Sequence, residues 1–145
     1  MSNITAKILE ALPYGREFCF VDSIDYVDDK KIIGHYTFTE ELFFYHSHFK
    51  DNPYVPGVIV VETMGQIGMV SHLIFLLNDY SFNFFPILSN IEVEFFNSPK
   101  YNQQLKVIGE KIYFRHNILK SKVEMYDSEN NLISKLTANI KVLHK

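Results

Sequence analysis

Two histidines, His46 and His48, stand ahead of a Pro56-Gly57 pair and a glutamate, Glu62, in the stretch "HSHFKDNPYVPGVIVVETMGQ". Each can do chemistry, and each has a plainer use. A histidine ordinarily titrates near 6.5, so it can take or give a proton at neutral pH. Spaced two apart on a strand, His46 and His48 would point to one face and could offer two metal ligands. Neither Cys19 nor the remaining histidines supply a recognisable second pair, so no metal site and no cofactor is expected. The plainer reading of His46 is a loop histidine satisfied by backbone. Glu62 sits inside "VIVVETMGQIGMVSHLIFLL", residues 58–77. An unpaired carboxylate buried there would be costly and would need a partner or a raised pKa. Glu62 is therefore either paired structurally, for instance to sheet backbone, or it works.

The elements that would position these groups follow from periodicity and punctuation. Residues 58–61 are β-branched and on their own favour a strand. Pro56-Gly57 as an entry, a run far longer than a strand, and no turn signal before Asn78 predict a helix instead. Glu62 and Gln66 then share one helical face. The run is long enough to cross a bilayer, yet Glu62, Gln66, Ser71 and His72 interrupt it and no Lys/Arg-flanked topology signal accompanies it, so no membrane span is expected. Apolar on all sides, it reads as a central helix wrapped by sheet. "NITAKILEAL" predicts a short helix with Asn3 as its cap, stopped at Pro13. Residues 18–39 predict two strands joined at Asp28 and Asp29. "NDYSFNFFPILSN" reads as an aromatic loop, and "IEVEFF", "QLKVIGEKIYF", "NILKSKVEMY" and "LISKLTANIKVL" as four further strands. No repeat or linker divides residues 1–145, which form one α+β domain.

A chain of 145 residues buries about two thirds of its unfolded surface, so a real core is expected. A net charge of −3 with no Lys/Arg block excludes a phosphate-tracking surface, and no nucleic-acid partner is expected. One cysteine and the absence of an opening signal-like segment fit a reducing cytoplasm.

"HFKDNPYVPGVIVVETMGQ" resembles the active-site segment of the hotdog-fold 3-hydroxyacyl-ACP dehydratases, at His48, Phe49, Pro53, Pro56, Gly57, Glu62 and Gln66. "LPYGREFCFVDSI" is similar to that family's opening, at Leu12, Pro13, Phe18, Val21 and Asp22. The acid is Glu in FabZ-type and Asp in FabA-type enzymes, so Glu62 points to FabZ-type chemistry, although "ELFFYHSHF" has the longer FabA-type spacing. Ser47, Lys50 and Asp51 stand where the family commonly has Gly and Pro-Gly, and "VEFFNSPKYN" replaces an arginine-rich strand. These departures surround the acid and histidine and bear on substrate.

The resemblance implies a hotdog fold, a long central helix wrapped by an antiparallel β-sheet, and dehydration of a (3R)-3-hydroxyacyl thioester to the trans-2-enoyl thioester. His48 would be the base for the C2 proton. Glu62 would be the acid for the C3 hydroxyl, its apolar surroundings holding it protonated. The Gly57 N–H, with Val58 beside it at a helix N-terminus, would meet the charge developing on the thioester oxygen. Phe49 would help bind substrate, and Gln66 would orient a carboxyl or a water. The implied partners are an acyl carrier protein and a second subunit, in a homodimer or a dimer-based oligomer or in a heterodimer with a paralogue. Each site would take its histidine from one subunit and its acid from the other. A hotdog thioesterase, or a non-catalytic subunit of a heterodimer, are the alternatives. If Phe43, Phe44, Tyr45, Phe49, Tyr80, Phe82, Phe84 and Phe85 line an acyl tunnel, they would favour flat, unsaturated or aryl-bearing chains of a polyene or polyketide-like pathway over bulk fatty acids.

Overall fold

The computed structural model describes residues 3–145. Its centre is the helical run Gly57–Leu77. Pro56, at φ −59° and ψ 136°, leads into the first turn. Three pieces make up the run: α2 (Gly57–Gly65), a π-helical turn (Gln66–Val70) and α3 (Ser71–Leu77). It stops at Asn78, whose φ of 50° and ψ of 42° place it in the left-handed region that asparagine tolerates. The β-branched start is helical because the fold gives it a face to bury: Ile59, Val60, Thr63 and Met64 turn inward.

One sheet wraps this helix. Its strands are β1 (Ser23–Val27), β2 (Lys31–Thr37), β3 (Phe84–Phe95), β4 (Gln104–Arg115), β5 (Ile118–Tyr126) and β6 (Leu132–His144). All neighbours are antiparallel, in the order β1-β2-β4-β5-β6-β3. Period-two burial marks the helix-facing side: Leu105 and Val107 on β4, Val123 and Met125 on β5, Ala138 and Ile140 on β6. Helix and sheet meet most closely at the π-helical turn. A Cβ on Gly109 would lie 2.2 Å from the Gly68 carbonyl oxygen, and one on Gly68 would lie 2.6 Å from the Val123 side chain, so glycine at both positions allows this approach. A short helix, α1 (Asn3–Ala11), buries Ile8 against this body.

With 72 % of its most apolar window buried, the Gly57–Leu77 helix is the core of the fold and not a membrane span, although its mean hydropathy of 1.6 would pass for one. Three boundaries differ from expectation. Asn3 is the first residue of α1 and not its cap. Residues 19–22 precede β1 outside any strand, after a single 3-10 turn at Arg16–Phe18. The segment read as an aromatic loop is strand from Phe84 onward, because β3 forms the sheet edge, where Pro86 costs no ladder hydrogen bond to a second neighbour. In β3 the register shifts between Leu88 and Asn90, leaving Ser89 as an extra residue. This bulge keeps Leu88 and Ile91 on the same side of the strand as Phe84 and Pro86, where strict alternation would have turned Ile91 away.

Candidate active site

Gln66 organises the acid. Its side chain is 1 % exposed and makes three hydrogen bonds at the start of the π-helical turn. Its Oε1 accepts from the Phe20 backbone N–H at 2.8 Å, and its Nε2 donates to the Phe18 carbonyl and to Glu62 Oε2, both at 2.9 Å. The amide thus ties the segment before β1 to the helix and aims the Glu62 carboxyl. Glu62 itself is half-buried, not sheathed in valine as expected. The first two turns of the helix, Gly57–Gly65, bury only the face of Ile59, Val60, Thr63 and Met64, and Val58 on the other side is 77 % exposed.

Glu62 opens on a cavity of about 470 Å³ between the central helix, β3 and β6. Its other walls are mainly apolar and include Met69, Leu88, Ile91, Leu136 and Ile140. Pro13 and Tyr14 join Glu62 at one end. Burial, then the nearby Glu62 carboxylate and Cys19, push the Tyr14 hydroxyl up, so Tyr14 is a neutral donor beside the acid. Sequence reasoning passed over Tyr14. The only signal was its place inside "LPYGREF", a stretch that matched family positions on either side of it.

Of the eight aromatic residues expected on a tunnel wall, Phe82, Phe84 and Phe85 line this cavity. Phe44 is 5 % exposed and packs edge-on against Phe20 and Phe38 in the core. Tyr45 stacks edge-on with Tyr101, Phe43 and Phe49 are 62 % and 57 % exposed, and Tyr80 lies in the turn before β3.

His48 is placed by a turn-rich segment, so His46 and His48 do not share a strand face. Its backbone is pinned on both sides: the His48 N–H donates to the Phe44 carbonyl at 3.0 Å and the Tyr54 N–H to the His48 carbonyl at 2.7 Å. The ring Nδ1 lies 3.0 Å from the Tyr54 carbonyl oxygen. A carbonyl only accepts, so Nδ1 carries the hydrogen and the neutral ring leaves Nε2 as its basic nitrogen. The Phe49 ring stacks on His48 at 4.1 Å.

At the helix entry, Ile59 and Val60 both donate to the Pro56 carbonyl, at 2.9 and 3.1 Å. The N–H groups of Gly57 and Val58, between Pro56 and Ile59, meet no acceptor among the described residues, and no side chain caps the turn. Gly57 lies against Phe95, whose Cζ would be 3.4 Å from an added Cβ. Within one chain the expected residues are therefore divided. Glu62 and Gln66 form one constellation with Tyr14, whereas His48, Phe49, Gly57 and Val58 do not line the Glu62 cavity.

A helix lying across a single antiparallel sheet, with a carboxyl aimed into the space between them, is the hotdog class of fold. Residues 12–123 match the FabA-like domain model, and the chain belongs to that family. It is 32 % identical over 117 residues to 3-hydroxyacyl-[acyl-carrier-protein] dehydratase FabZ of Bacillus licheniformis, covering 80 % of each chain. Against other curated dehydratases of that name, the chain spans about half the length of the relatives it matches. The dehydratase heterocomplex ApeI:P from Xenorhabdus doucetiae shares its fold with a TM-score of 0.78 at 11 % identity, over 95 % of this chain and 91 % of that one. A hypothetical thioesterase with coenzyme A from Streptococcus pneumoniae TIGR4 does so with a TM-score of 0.62 at 14 % identity, over 84 % and 85 %. At these identities the two structures speak to fold alone.

Proposed function

We propose that this protein is a 3-hydroxyacyl-ACP dehydratase, working in the cytoplasm on a carrier-bound (3R)-3-hydroxyacyl thioester. The observation that carries the reading is the Glu62 carboxyl, held by Gln66 on the wall of a mainly apolar cavity. In the reaction His48 Nε2 takes the C2 proton. The C–H electron pair forms the C2–C3 double bond, and the C3–O bond breaks. Glu62 gives its proton to the departing hydroxyl, so that water and the trans-2-enoyl thioester leave together. Charge that builds on the thioester oxygen is met by the N–H groups of Gly57 and Val58.

Because His48 and Glu62 face different spaces within one chain, the complete site is assembled from two copies, or from one copy and a paralogous subunit. The β3 edge is suited to the join: Phe85, Ile87, Leu88 and Phe95 on it are 46 % to 52 % exposed, an apolar edge with no strand beside it among the described residues. The three phenylalanines on the cavity support a preference for flat, unsaturated or aryl-bearing chains, as a polyene or polyketide-like pathway would supply.

Mass spectrometry of carrier-bound products tests the reading, with saturated and polyenoyl 3-hydroxyacyl substrates of equal length. The expected product is the enoyl thioester, with turnover lowered about 100- to 10,000-fold in His48→Ala and Glu62→Gln. Free acid and free carrier thiol would instead identify a thioesterase, and no product from any chain would leave a non-catalytic subunit.

A further inference from the structure

His48 and Tyr54 hold one another in a clamp closed within a single turn-rich segment. The Tyr54 N–H donates to the His48 carbonyl at 2.7 Å, and the His48 Nδ1–H donates back to the Tyr54 carbonyl at 3.0 Å. Such a clamp fixes the ring relative to its own loop and leaves the loop free to move against the sheet. Among the described residues, one side chain from elsewhere in the chain enters it. The Tyr101 hydroxyl donates to the same Tyr54 carbonyl oxygen, at 3.3 Å. A carbonyl oxygen has two lone pairs, and these two donors use both.

Tyr101 is itself anchored. It stands just before β4, and the N–H of the next residue, Asn102, donates to the Phe38 carbonyl at 2.7 Å. Its ring packs edge-on against Tyr45, with centroids 4.7 Å apart, and lies 6.5 Å from the ring of the buried Phe44. Burial, then the neighbouring Tyr45, pushes the Tyr101 hydroxyl up, so it keeps its hydrogen and stays a donor. It belongs to "VEFFNSPKYN", a stretch where the chain departs from the sequence it otherwise resembles. Rotation of the Tyr54 carbonyl would take the acceptor away from Nδ1 and let the hydrogen move to Nε2, the nitrogen that must be bare to receive the C2 proton. We propose that Tyr101 is a positioning residue for His48: by tying the Tyr54 carbonyl to the start of β4, it holds the imidazole in the tautomer and direction that proton abstraction needs. The proposal rests on the dehydratase reading and adds to it what keeps the base in place.

The test is Tyr101→Phe, which keeps the ring against Tyr45 and Phe44 and removes only the donor. The His48–Tyr54 hydrogen bond survives in the variant, so the loss is partial. The expected result is a kcat on a 3-hydroxyacyl-ACP about three- to tenfold lower, as the loss of one hydrogen bond gives, with KM changed less than about twofold. Magnetic resonance of protein carrying isotope-labelled histidine reads the ring directly, with His48→Ala identifying the signals. The two ring nitrogens of His48 should report the Nδ1–H tautomer in the native protein and a mixture of both tautomers in Tyr101→Phe. A native kcat, a change confined to KM, or an unchanged His48 spectrum in Tyr101→Phe would overturn the proposal. The spectrum needs no turnover, so it decides the positioning of His48 separately from the underlying reading, which fails if the native protein forms no enoyl thioester.

Discussion

At the scale of single residues, the buried polar groups fall into two kinds. Gln66 is fully used: its amide satisfies two backbone groups and one carboxyl, so it holds the acid in place through a rigid part of the fold. His72 is different. It is 0 % exposed, its Nε2 donates to the Asp28 carbonyl at 2.8 Å, and its Nδ1 meets no partner among the described residues. Burial pulls its pKa below the ordinary 6.5, with the nearby Lys111 acting in the same direction and the Asp28 carbonyl and the Asp28 and Asp29 carboxylates against it. A histidine depressed in the folded state binds its proton more readily when unfolded. Its neutral form therefore does not oppose folding above 6.5, and stability is lost as pH falls below that value. Urea denaturation on either side of 6.5 should show the loss, and His72→Gln, which keeps a donor for Asp28, should flatten the dependence. An unchanged slope in the variant would show that other groups carry it. Glu62 was recognisable in the sequence because a carboxylate in an apolar run stands out. Its half-buried state was not, because the sequence is apolar throughout the helix, whereas only residues 66–74 are buried on every side and the entry turns that carry Glu62 bury one face.

At the scale of elements, the central helix was readable despite its β-branched start, since no strand of that length lacks a turn signal. The π-helical turn within it was not, because nothing in "QIGMV" distinguishes a wide turn from an ordinary one. What shows its purpose is the contact it makes. Gly68 and Gly109 bring helix and sheet to a separation that no side chain permits. Gly109→Ala places its methyl against the Gly68 backbone, which cannot rotate away, and should destabilise by about 2–3 kcal/mol in equilibrium unfolding. Gly15→Ala, with nothing within 4 Å of the added carbon, should cost far less. If the two variants prove equally stable, the helix lies looser on the sheet than these distances indicate. The start of β3 was hidden for another reason. Pro86 and the Ser89-Asn90 pair look like loop residues, and only the edge position and the bulge make them compatible with a strand. The cavity wall was equally unreadable, since Leu88 meets Ile140 through a pairing of distant strands.

At the scale of the whole molecule, the division of His48 from Glu62 makes a quantitative expectation about assembly. An Ile87→Lys substitution on the exposed edge should give a folded monomer in sedimentation velocity and lose turnover with it. Mixing His48→Ala with Glu62→Gln protein should restore activity, because a mixed pair regains one site with both groups. Confirmed subunit exchange with no recovered activity would place both residues of a site in one chain. The sheet order also carries a consequence for synthesis. Among the described residues β3 pairs with β6 alone, so β3 leaves the ribosome with no strand to pair with until residues 132–144 have followed it. During that interval an apolar edge is open on both sides, a state prone to misassociation, and contacts of such long sequence separation also form slowly. The wall that Leu136, Ala138 and Ile140 give the cavity arrives with the same strand. A nascent chain can thus hold its helix and four of its strands and still have no place for a substrate.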